Sequence, residues 1–237
     1  MTGLAQRYQA LIDEVAQCCC AAGRDEDSLR VLAVSKTVGV DALAEAVAAG
    51  ISDFGENRPD DLAVKQEAFP EKAWHFIGNI QSRRIPVIVA CADMVHSLYQ
   101  EHHIEALERA AAACGKVQKV LLEVNTSKEA NKQGLTPERV AALLEQCDGR
   151  PSLKVCGFMT MAPQGDPARA RSCFDALAET ADEMRRRFAH VGVGQDLHEL
   201  SMGMSEDWPC AVAAGATIIR VGRVIFDGGY AHEASNE

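Results

Sequence analysis

Two basic side chains stand at or near the ends of apolar, β-rich segments. Lys36 directly follows the segment 31–35, VLAVS, and Arg220 lies within the segment 216–221, ATIIRV. A lysine amine in a low-dielectric environment loses its proton more readily than in water, and the free amine attacks aldehydes. Position alone, however, favours a solvated lysine at a strand end. Alternation along the strand places Arg220 either inside the protein, where it needs an acceptor or an anion, or outside under a helix.

A glycine-containing segment near the end of the chain offers groups that suit a phosphate. Segment 201–205, SMGMS, follows the predicted seventh strand and supplies the hydroxyls of Ser201 and Ser205 together with backbone amides near a predicted helix. Such amides bind anions, although Ser205 is equally well placed to be a plain N-cap. Gly222 follows the last β-rich segment, and phosphate sites of α/β barrels often use the loops after the last two strands.

Other polar and soft side chains give weaker indications of a site. Glu56 and Asn57 end the predicted second strand, and His75 lies in the third, where a histidine is more often a satisfied core residue than a catalyst. Met159 and Met161 end the sixth strand and are more typical of core filling than of a pocket floor. No serine, histidine and aspartate triad or carboxylate pair can be read from the spacing, so no catalytic residue is predicted.

The elements that must position these residues alternate strictly between β-rich and helical segments. The predicted strands are 31–35, 51–54, 74–77, 94–98, 117–124, 153–159, 197–201 and 216–221. The predicted helices lie near 40–49, 58–68, 83–91, 100–113, 136–147, 166–189 and 206–214. Eight such units favour parallel strands closed into a (β/α)8 TIM barrel. An open doubly wound sheet is the alternative, but no G-x-G-x-x-G turn follows the first strand.

The first residues form an amphipathic pattern of their own. One helical face carries the apolar side chains Leu4, Tyr8, Leu11, Ile12 and Val15. Little chain remains after the eighth strand, so we expect this N-terminal helix to pack on the barrel where an eighth outer helix would lie. A barrel of this kind commonly uses about 250 residues. We therefore expect residues 1–237 to form a single domain.

Charge and cysteine content limit the partners and the location. The formal net charge is −10, which disfavours nucleic acid and anionic membranes as partners. None of the nine cysteines forms a C-x-x-C pair, and no Cys/His spacing fits a zinc motif, so no metal site is predicted. Charged residues such as Arg7 and Asp13 interrupt any apolar run of a signal peptide. We expect reduced thiols and a cytoplasmic protein.

Several motifs, in order and at fitting distances, make the sequence recognisable. They are VLAVSKT (31–37), FGEN (54–57), WHFIGNIQ (74–81), LLEVNTSKEANKQG (121–134), GFMTMAP (157–163), LSMGMSED (200–207) and IRVGRVIF (219–226). With them the chain resembles, over about residues 5 to 227, the pyridoxal phosphate homeostasis protein family, whose barrel is similar to the N-terminal domain of alanine racemase. Several motifs matched together are much more specific than any one of them.

The resemblance implies a cofactor, pyridoxal 5′-phosphate (PLP), held covalently as a Schiff base on Lys36. It implies further cofactor-binding residues: Ser201, Ser205, Gly222 and Arg223 around the phosphate, Arg220 facing the pyridine nitrogen, and Asn57 and Met204 in the surroundings. The family is regarded as handling PLP supply and amino-acid and keto-acid balance without an established catalytic turnover. PLP-dependent apoenzymes and free amino acids would exchange PLP with the chain, which we expect to be a monomer.

The chain departs from the family pattern at two places. Arg223 stands where the family usually has a small hydroxyl residue, so a side-chain hydroxyl contact to the phosphate is lost there while the backbone amide remains. By alternation, the Arg223 side chain points away from Gly222. After Gln81 the chain has Arg83 and Arg84 where the family usually shows asparagine and lysine.

The implied arrangement also limits the chemistry. Arginine can only donate hydrogen bonds, so a pyridine nitrogen facing Arg220 must accept one and is unprotonated. This weakens the cofactor as an electron sink, disfavours transamination, and leaves racemisation or simple holding. We expect no second base, because the related racemases draw it from a partner subunit organised by a further C-terminal domain. The alternatives are a weak amino-acid racemase and a barrel aldolase that uses Lys36 on a sugar phosphate without PLP.

Overall fold

The computed structural model describes residues 3–127, 129 and 132–230. In this part of the chain, eight parallel strands close into a barrel in sequential order. The strands are β1 (Arg30–Val34), β2 (Asp53–Glu56), β3 (Ala73–Phe76), β4 (Met94–Leu98), β5 (Gln118–Glu123), β6 (Leu153–Met159), β7 (Glu199–Met204) and β8 (Ile218–Val221). Strand β8 pairs with β1, with Arg220 opposite Leu32, which completes the ring. The predicted (β/α)8 barrel is confirmed.

Helices surround the barrel and connect its strands. They are α1 (Gly3–Ala21), α2 (Val40–Ala48), α3 (Pro59–Ala68), α4 (Ile85–Cys91), α5 (His102–Ala113), α6 (Pro137–Cys147), α7 (Pro167–Arg187), α8 (Trp208–Ala213) and α9 (Arg223–Phe226). Proline at the start of α3, α6 and α7 suits the first helical turn, where its missing N–H has no partner to lose. No helix among the described residues is both long enough and apolar enough to cross a membrane.

Alternation along the strands divides the apolar side chains between two cores. A small cluster fills the barrel interior and takes its members from five strands: Leu32, Met94, Leu121, Cys156, Met159 and Ile218. The opposite faces pack against the helices, where Phe54 stacks on Trp74 with ring centroids 5.3 Å apart. Because Ile218 points inward, Arg220, two residues later on the same strand, does so as well.

Two predicted strands end two or more residues too early, and packing explains both. The second strand was predicted at 51–54 but runs over Asp53–Glu56. Ile51 is buried in the preceding turn, where its amide bonds to Ala46 of α2, so its apolar character belongs to a helix end. The seventh strand was predicted to stop at residue 201 but continues to Met204. Gly203 has φ 91° and lies under α8, where a Cβ would come within 2.7 Å of the Ala211 Cβ.

The N-terminal helix lies where the sequence places it, packed on the barrel. Helix α1 contacts α8, α9 and α2, and it buries Leu11 and Val15 in the main core. The Arg7 Nε donates a 2.9 Å hydrogen bond to the carbonyl of Ile225 in α9. Helix α9 itself has only four residues, and α1 packs against it and against α8, the helices that follow and precede β8.

Replacing Leu11 with alanine should test the contribution of α1. The side chain is 1% exposed, and truncating a buried leucine costs roughly 2–5 kcal/mol of the free energy of unfolding. Urea denaturation of the variant measures this loss. The matched control is Gln17→Ala on the exposed face of the same helix, which should change the stability by less than about 0.5 kcal/mol. Equal stability of the two variants would mean that α1 adds nothing to the core.

Candidate functional site at the carboxyl ends of the strands

A cavity of about 800 Å³ opens at the carboxyl ends of the strands. Its lining brings together Lys36 and Met204, two of the residues proposed from the sequence, and adds Glu123, Lys132 and Arg169. Lys36 lies in the turn that follows β1 rather than in the strand, and its side chain is exposed. Its amine therefore stands at the open mouth of the barrel, accessible to a ligand that enters from solvent.

The turn that carries Lys36 rests on a buried ion pair. The Lys65 Nζ of α3 lies 2.5 Å from the Glu56 Oε1 and 2.9 Å from the carbonyl oxygen of Ser35, the residue just before Lys36. The Ser35 hydroxyl donates to the same Glu56 oxygen at 2.6 Å. Glu56 is fully buried and Lys65 is 5% exposed. Because charges this deep tolerate few geometries, the pair holds the backbone before Lys36 in one place.

Below the cavity, Arg220 is a buried cation inside the barrel. One of its terminal nitrogens donates to the Ser201 Oγ at 2.7 Å, and the other donates to the carbonyl oxygen of Thr160 at 2.9 Å. Burial lowers the pKa of Arg220 to about 10, so it stays protonated at neutral pH. No carboxylate among the described residues lies within ion-pairing distance of it. A guanidinium has five N–H groups, and two hydrogen bonds leave donors for a ligand.

Two buried carboxyl groups lie in the electrostatic range of Arg220 without touching it. Glu123 ends β5, is 3% exposed and lines the cavity. Burial raises its pKa to about 7, against the opposing effect of Arg220. Its carboxyl group has no hydrogen-bond partner among the described residues. Asp207 accepts a 2.5 Å bond from the Met204 amide, and burial raises its pKa as well.

Of the residues proposed around a phosphate, the structure brings Ser205 and Gly222 together. The Gly222 amide donates to the Ser205 Oγ at 3.4 Å, and the Tyr230 hydroxyl donates to the Ser205 carbonyl at 3.2 Å. Ser201 lies deeper, in strand β7, with its hydroxyl oxygen bonded to Arg220 inside the barrel. The Ser201 hydroxyl therefore belongs to the hydrogen-bond network around Arg220.

Arg223 is engaged away from this pair. Its guanidinium forms a 2.6 Å ion pair with Glu206 and lies 5.0 Å from the centre of the Tyr230 ring. About half of the side chain is exposed. Its sequence neighbour Gly222 faces the barrel, where a Cβ would lie 2.8 Å from the Val34 carbonyl oxygen. The Arg223 side chain is therefore held by Glu206 and Tyr230.

The remaining candidates occupy different places. Asn57 is exposed just after β2. Its carbonyl oxygen lies against the backbone of Gly78, where a side chain on residue 78 would clash with it. Met159 is buried inside the barrel, and Met161 is an exposed residue of the cavity lining. Arg84 pairs with Asp60 at the outer rim, and Arg83 is exposed beside it. In the motif 121–134, Lys128, Ala130 and Asn131 lie outside the described residues.

Three residues of the site were missed in the sequence. The ring of His96 in β4 forms hydrogen bonds with Ser201 and His75. The carbonyl oxygen of Thr160 accepts a hydrogen bond from Arg220. Glu123 is the third. A signal existed for two of them, since Glu123 follows the apolar pair of LLEV, and His96 lies beside Ser97 in the strand segment MVHSL. Thr160 acts through its backbone, which no side-chain pattern reveals.

Taken together, these features define a class: a barrel protein with an exposed lysine amine and a buried cation at the carboxyl ends of its strands, the usual ligand site of the fold. The family model for the alanine racemase N-terminal domain matches residues 9–228. A pyridoxal phosphate homeostasis protein of Aquifex aeolicus is 34% identical over 224 residues, which cover 93% of this chain and 96% of the relative. The chain belongs to this family of alanine racemase-like barrels, as one of its pyridoxal phosphate homeostasis proteins.

Solved structures agree with the fold. The structure of PipY from Synechococcus elongatus with PLP bound matches at a TM-score of 0.81 and 33% identity, covering 94% of this chain and 99% of PipY. A crystal structure of an unknown protein from Bifidobacterium adolescentis matches at a TM-score of 0.89 and 29% identity, covering 94% of each chain. The family resemblance read from the sequence motifs is confirmed.

Because of Glu123, the free energy of unfolding should decrease as the pH rises. Its folded-state pKa of about 7 lies above the ordinary value of 4.5, so between these values the folded state holds a proton that the unfolded state has lost. The free energy of unfolding must therefore fall as pH rises from about 5 to about 7, by at most roughly 1.4 kcal/mol per pH unit. Above that window the contribution is constant.

Urea denaturation at several pH values checks this, with Glu123→Gln as the test variant. Glutamine cannot titrate, so the difference between the variant and the wild type should change across the window and level off above it. Glu179→Gln, on the exposed face of α7, is the control and should follow the wild type. Parallel curves for Glu123→Gln and the wild type would contradict the raised pKa.

Proposed function

We propose that this chain holds PLP at the carboxyl ends of its strands, through a covalent bond between the Lys36 Nζ and the aldehyde carbon of the cofactor. The amine attacks the aldehyde, water leaves, and a Schiff base remains. The observation that carries the proposal is the arrangement of an exposed lysine amine on a cavity at the carboxyl ends of the strands, with the buried Arg220 cation below it. PipY, at 33% identity, was solved with PLP bound.

The residues present fit the chemical groups of PLP. The cavity of about 800 Å³ is large enough for it. The Ser205 hydroxyl and the Gly222 amide lie together beside the barrel mouth and suit a phosphate. Arg220 retains N–H donors for an acceptor such as the pyridine nitrogen. In this proposal, Asn57 and Met204 also lie beside the cofactor, and the backbone amide of Arg223 contributes to the phosphate site.

The chain's own groups favour holding over turnover. When bound, PLP supplies an electron-withdrawing ring that can stabilise charge on an attached amino acid. Arg220 stays cationic and can only donate, so it favours an unprotonated pyridine nitrogen, which weakens that effect. The Lys36 side chain is exposed, which suits release of PLP to PLP-dependent apoenzymes or to free amino acids. We therefore propose a carrier role in PLP homeostasis, performed by a cytoplasmic monomer.

The absorption spectrum of purified protein loaded with PLP tests the anchor. The wild type should show a visible band that borohydride bleaches, with the PLP mass fixed on the Lys36 peptide. Lys36→Ala should lose both. Lys132→Ala is the matched control, because Lys132 lines the same cavity but pairs with Glu129 at 2.9 Å, and it should keep both. A band that survives in Lys36→Ala and disappears in Lys132→Ala would refute Lys36 as the anchor.

Amino-acid racemisation is the second candidate, and Glu123 is the observation in its favour. A carboxyl group with a pKa of about 7 on the cavity wall is matched to proton transfer at neutral pH. It is a potential second acid or base that the sequence did not indicate. If the carrier role is right, PLP-loaded protein should form no D-alanine from L-alanine above a protein-free control, as measured by chiral chromatography. Steady formation that both Lys36→Ala and Glu123→Gln abolish would establish a racemase.

A further inference from the structure

A row of polar side chains crosses the barrel interior beneath the cavity. The Arg220 guanidinium donates to the Ser201 Oγ at 2.7 Å, and the Ser201 Oγ lies 2.9 Å from the His96 Nδ1. The His96 Nε2 lies 2.8 Å from the His75 Nδ1. At the far end, the His75 Nε2 lies 3.7 Å from the Asp53 Oδ1. Five strands contribute to this row, which ends at the first residue of β2, at the amino-terminal mouth of the barrel.

The two ends of the row have fixed hydrogen-bonding roles. Arg220 is cationic and can only donate, so the Ser201 oxygen accepts from it. Burial disfavours charge on Asp53, but the nearby His75, the hydrogen bond from the Ser52 hydroxyl and the charge of Arg30 outweigh it and lower the pKa of Asp53. Asp53 is therefore an anion that can only accept. With a donor at one end and an acceptor at the other, the hydrogen bonds of Ser201, His96 and His75 should all run from donor to acceptor in the same direction.

The histidines between these ends must carry their protons accordingly. Burial, with a smaller effect of the Arg220 charge, lowers the pKa of His96 well below its ordinary value, so His96 is neutral and has one N–H. If that hydrogen were on Nδ1, the Ser201 oxygen would accept from both Arg220 and His96, and the hydroxyl hydrogen would have no acceptor among the described residues. The His96 Nε2 would then have to accept from His75, and the unprotonated Nε2 of a neutral His75 would face the Asp53 carboxylate. With the hydrogen on Nε2 in both rings, every neighbouring pair has one donor and one acceptor.

We propose that Ser201, His96 and His75 form a one-directional hydrogen-bonded relay that starts at Arg220, with each imidazole carrying its hydrogen on Nε2 and the His75 Nε2 facing the Asp53 carboxylate. In this relay His75 and His96 are positioning residues. They draw the Ser201 hydroxyl hydrogen toward His96, which leaves the Ser201 oxygen to hold Arg220, and Arg220 then presents its remaining N–H groups to the ligand. The ligand part of this inference rests on the proposed function, whereas the relay itself does not.

Other charged groups near the row occupy positions consistent with this direction. Arg30 lies 3.5 Å from Asp53 and 3.8 Å from Glu199, so the amino-terminal mouth holds one cation between two anions. Glu123 and Asp207 lie in the range of Arg220 at the opposite end. Glu199 accepts a hydrogen bond from Thr217 and is outside the relay. Asp53 and Glu199 therefore provide a matched pair of carboxylates at one end of the barrel.

Nitrogen-15 NMR of the protein without PLP tests the relay directly, because the chemical shift of each imidazole nitrogen reports whether it carries hydrogen. His75 and His96 are assigned among the seven histidines by comparison with His75→Phe and His96→Asn. Both rings should show hydrogen on Nε2 and a bare Nδ1. Hydrogen on the Nδ1 of His96, or a doubly protonated His75, would overturn the proposal.

Two charge-matched variants connect the relay to the ligand. Asp53→Asn removes the anion that accepts from His75 and should yield a mixture of tautomers in both rings. It should also weaken PLP binding by about tenfold, the effect of losing roughly one net hydrogen bond. Glu199→Gln removes the same charge at the same end and should leave tautomers and affinity unchanged. If the two variants behave alike in the tautomer measurement, the relay is wrong.

Substitutions at His96 separate positioning from mere space filling. His96→Phe fills the site but cannot accept from Ser201, so PLP binding should weaken by about tenfold. His96→Asn can accept and should recover most of the affinity, although it leaves a smaller side chain. Equal affinities for the two variants would contradict a positioning role. If the wild-type protein shows the expected tautomers but does not bind PLP, the proposed function is contradicted and the relay is still supported.

Discussion

The buried positive charge of Arg220 is the constraint to which the surrounding residues conform. Removing a guanidinium from water is costly unless its donors find acceptors. Here the partners are the Ser201 hydroxyl and the Thr160 carbonyl, and no carboxylate among the described residues pairs with it directly. Because the charge is not neutralised by a contact, it acts on its neighbours. It helps to keep His96 neutral and opposes the effect of burial on Glu123.

Closure of the barrel determines where this charge can act. Strand β8 lies beside β1, so the strand that carries Arg220 is next to the one that leads into Lys36. The Glu56 and Lys65 pair holds the turn of Lys36 from the side of β2 and α3. The site thus joins a rigid, buried lower part with an exposed amine above it. Such a division suits a protein that keeps a small anionic aldehyde in a defined orientation while leaving it accessible for transfer.

Much of this could be predicted from the sequence, because it depends on periodicity. Strict alternation of strands and helices predicts a parallel barrel, and alternation within β8 limits Arg220 to two directions. The rest depends on contacts between distant segments. The pairing of His75 with His96 follows from the register of neighbouring strands, and the extension of β7 follows from the approach of α8 to Gly203. The ion pair that draws Arg223 outward likewise requires the position of Glu206 in three dimensions.

The most direct test is a crystal structure of the protein after incubation with PLP and reduction with borohydride. Our account predicts continuous electron density from the Lys36 Nζ to the cofactor, with the phosphate beside Ser205 and the Gly222 amide. It also predicts the pyridine nitrogen within hydrogen-bonding distance of Arg220, and an unchanged row of Ser201 and the two histidines below. Density attached to another lysine, or a ring turned away from Arg220, would contradict it.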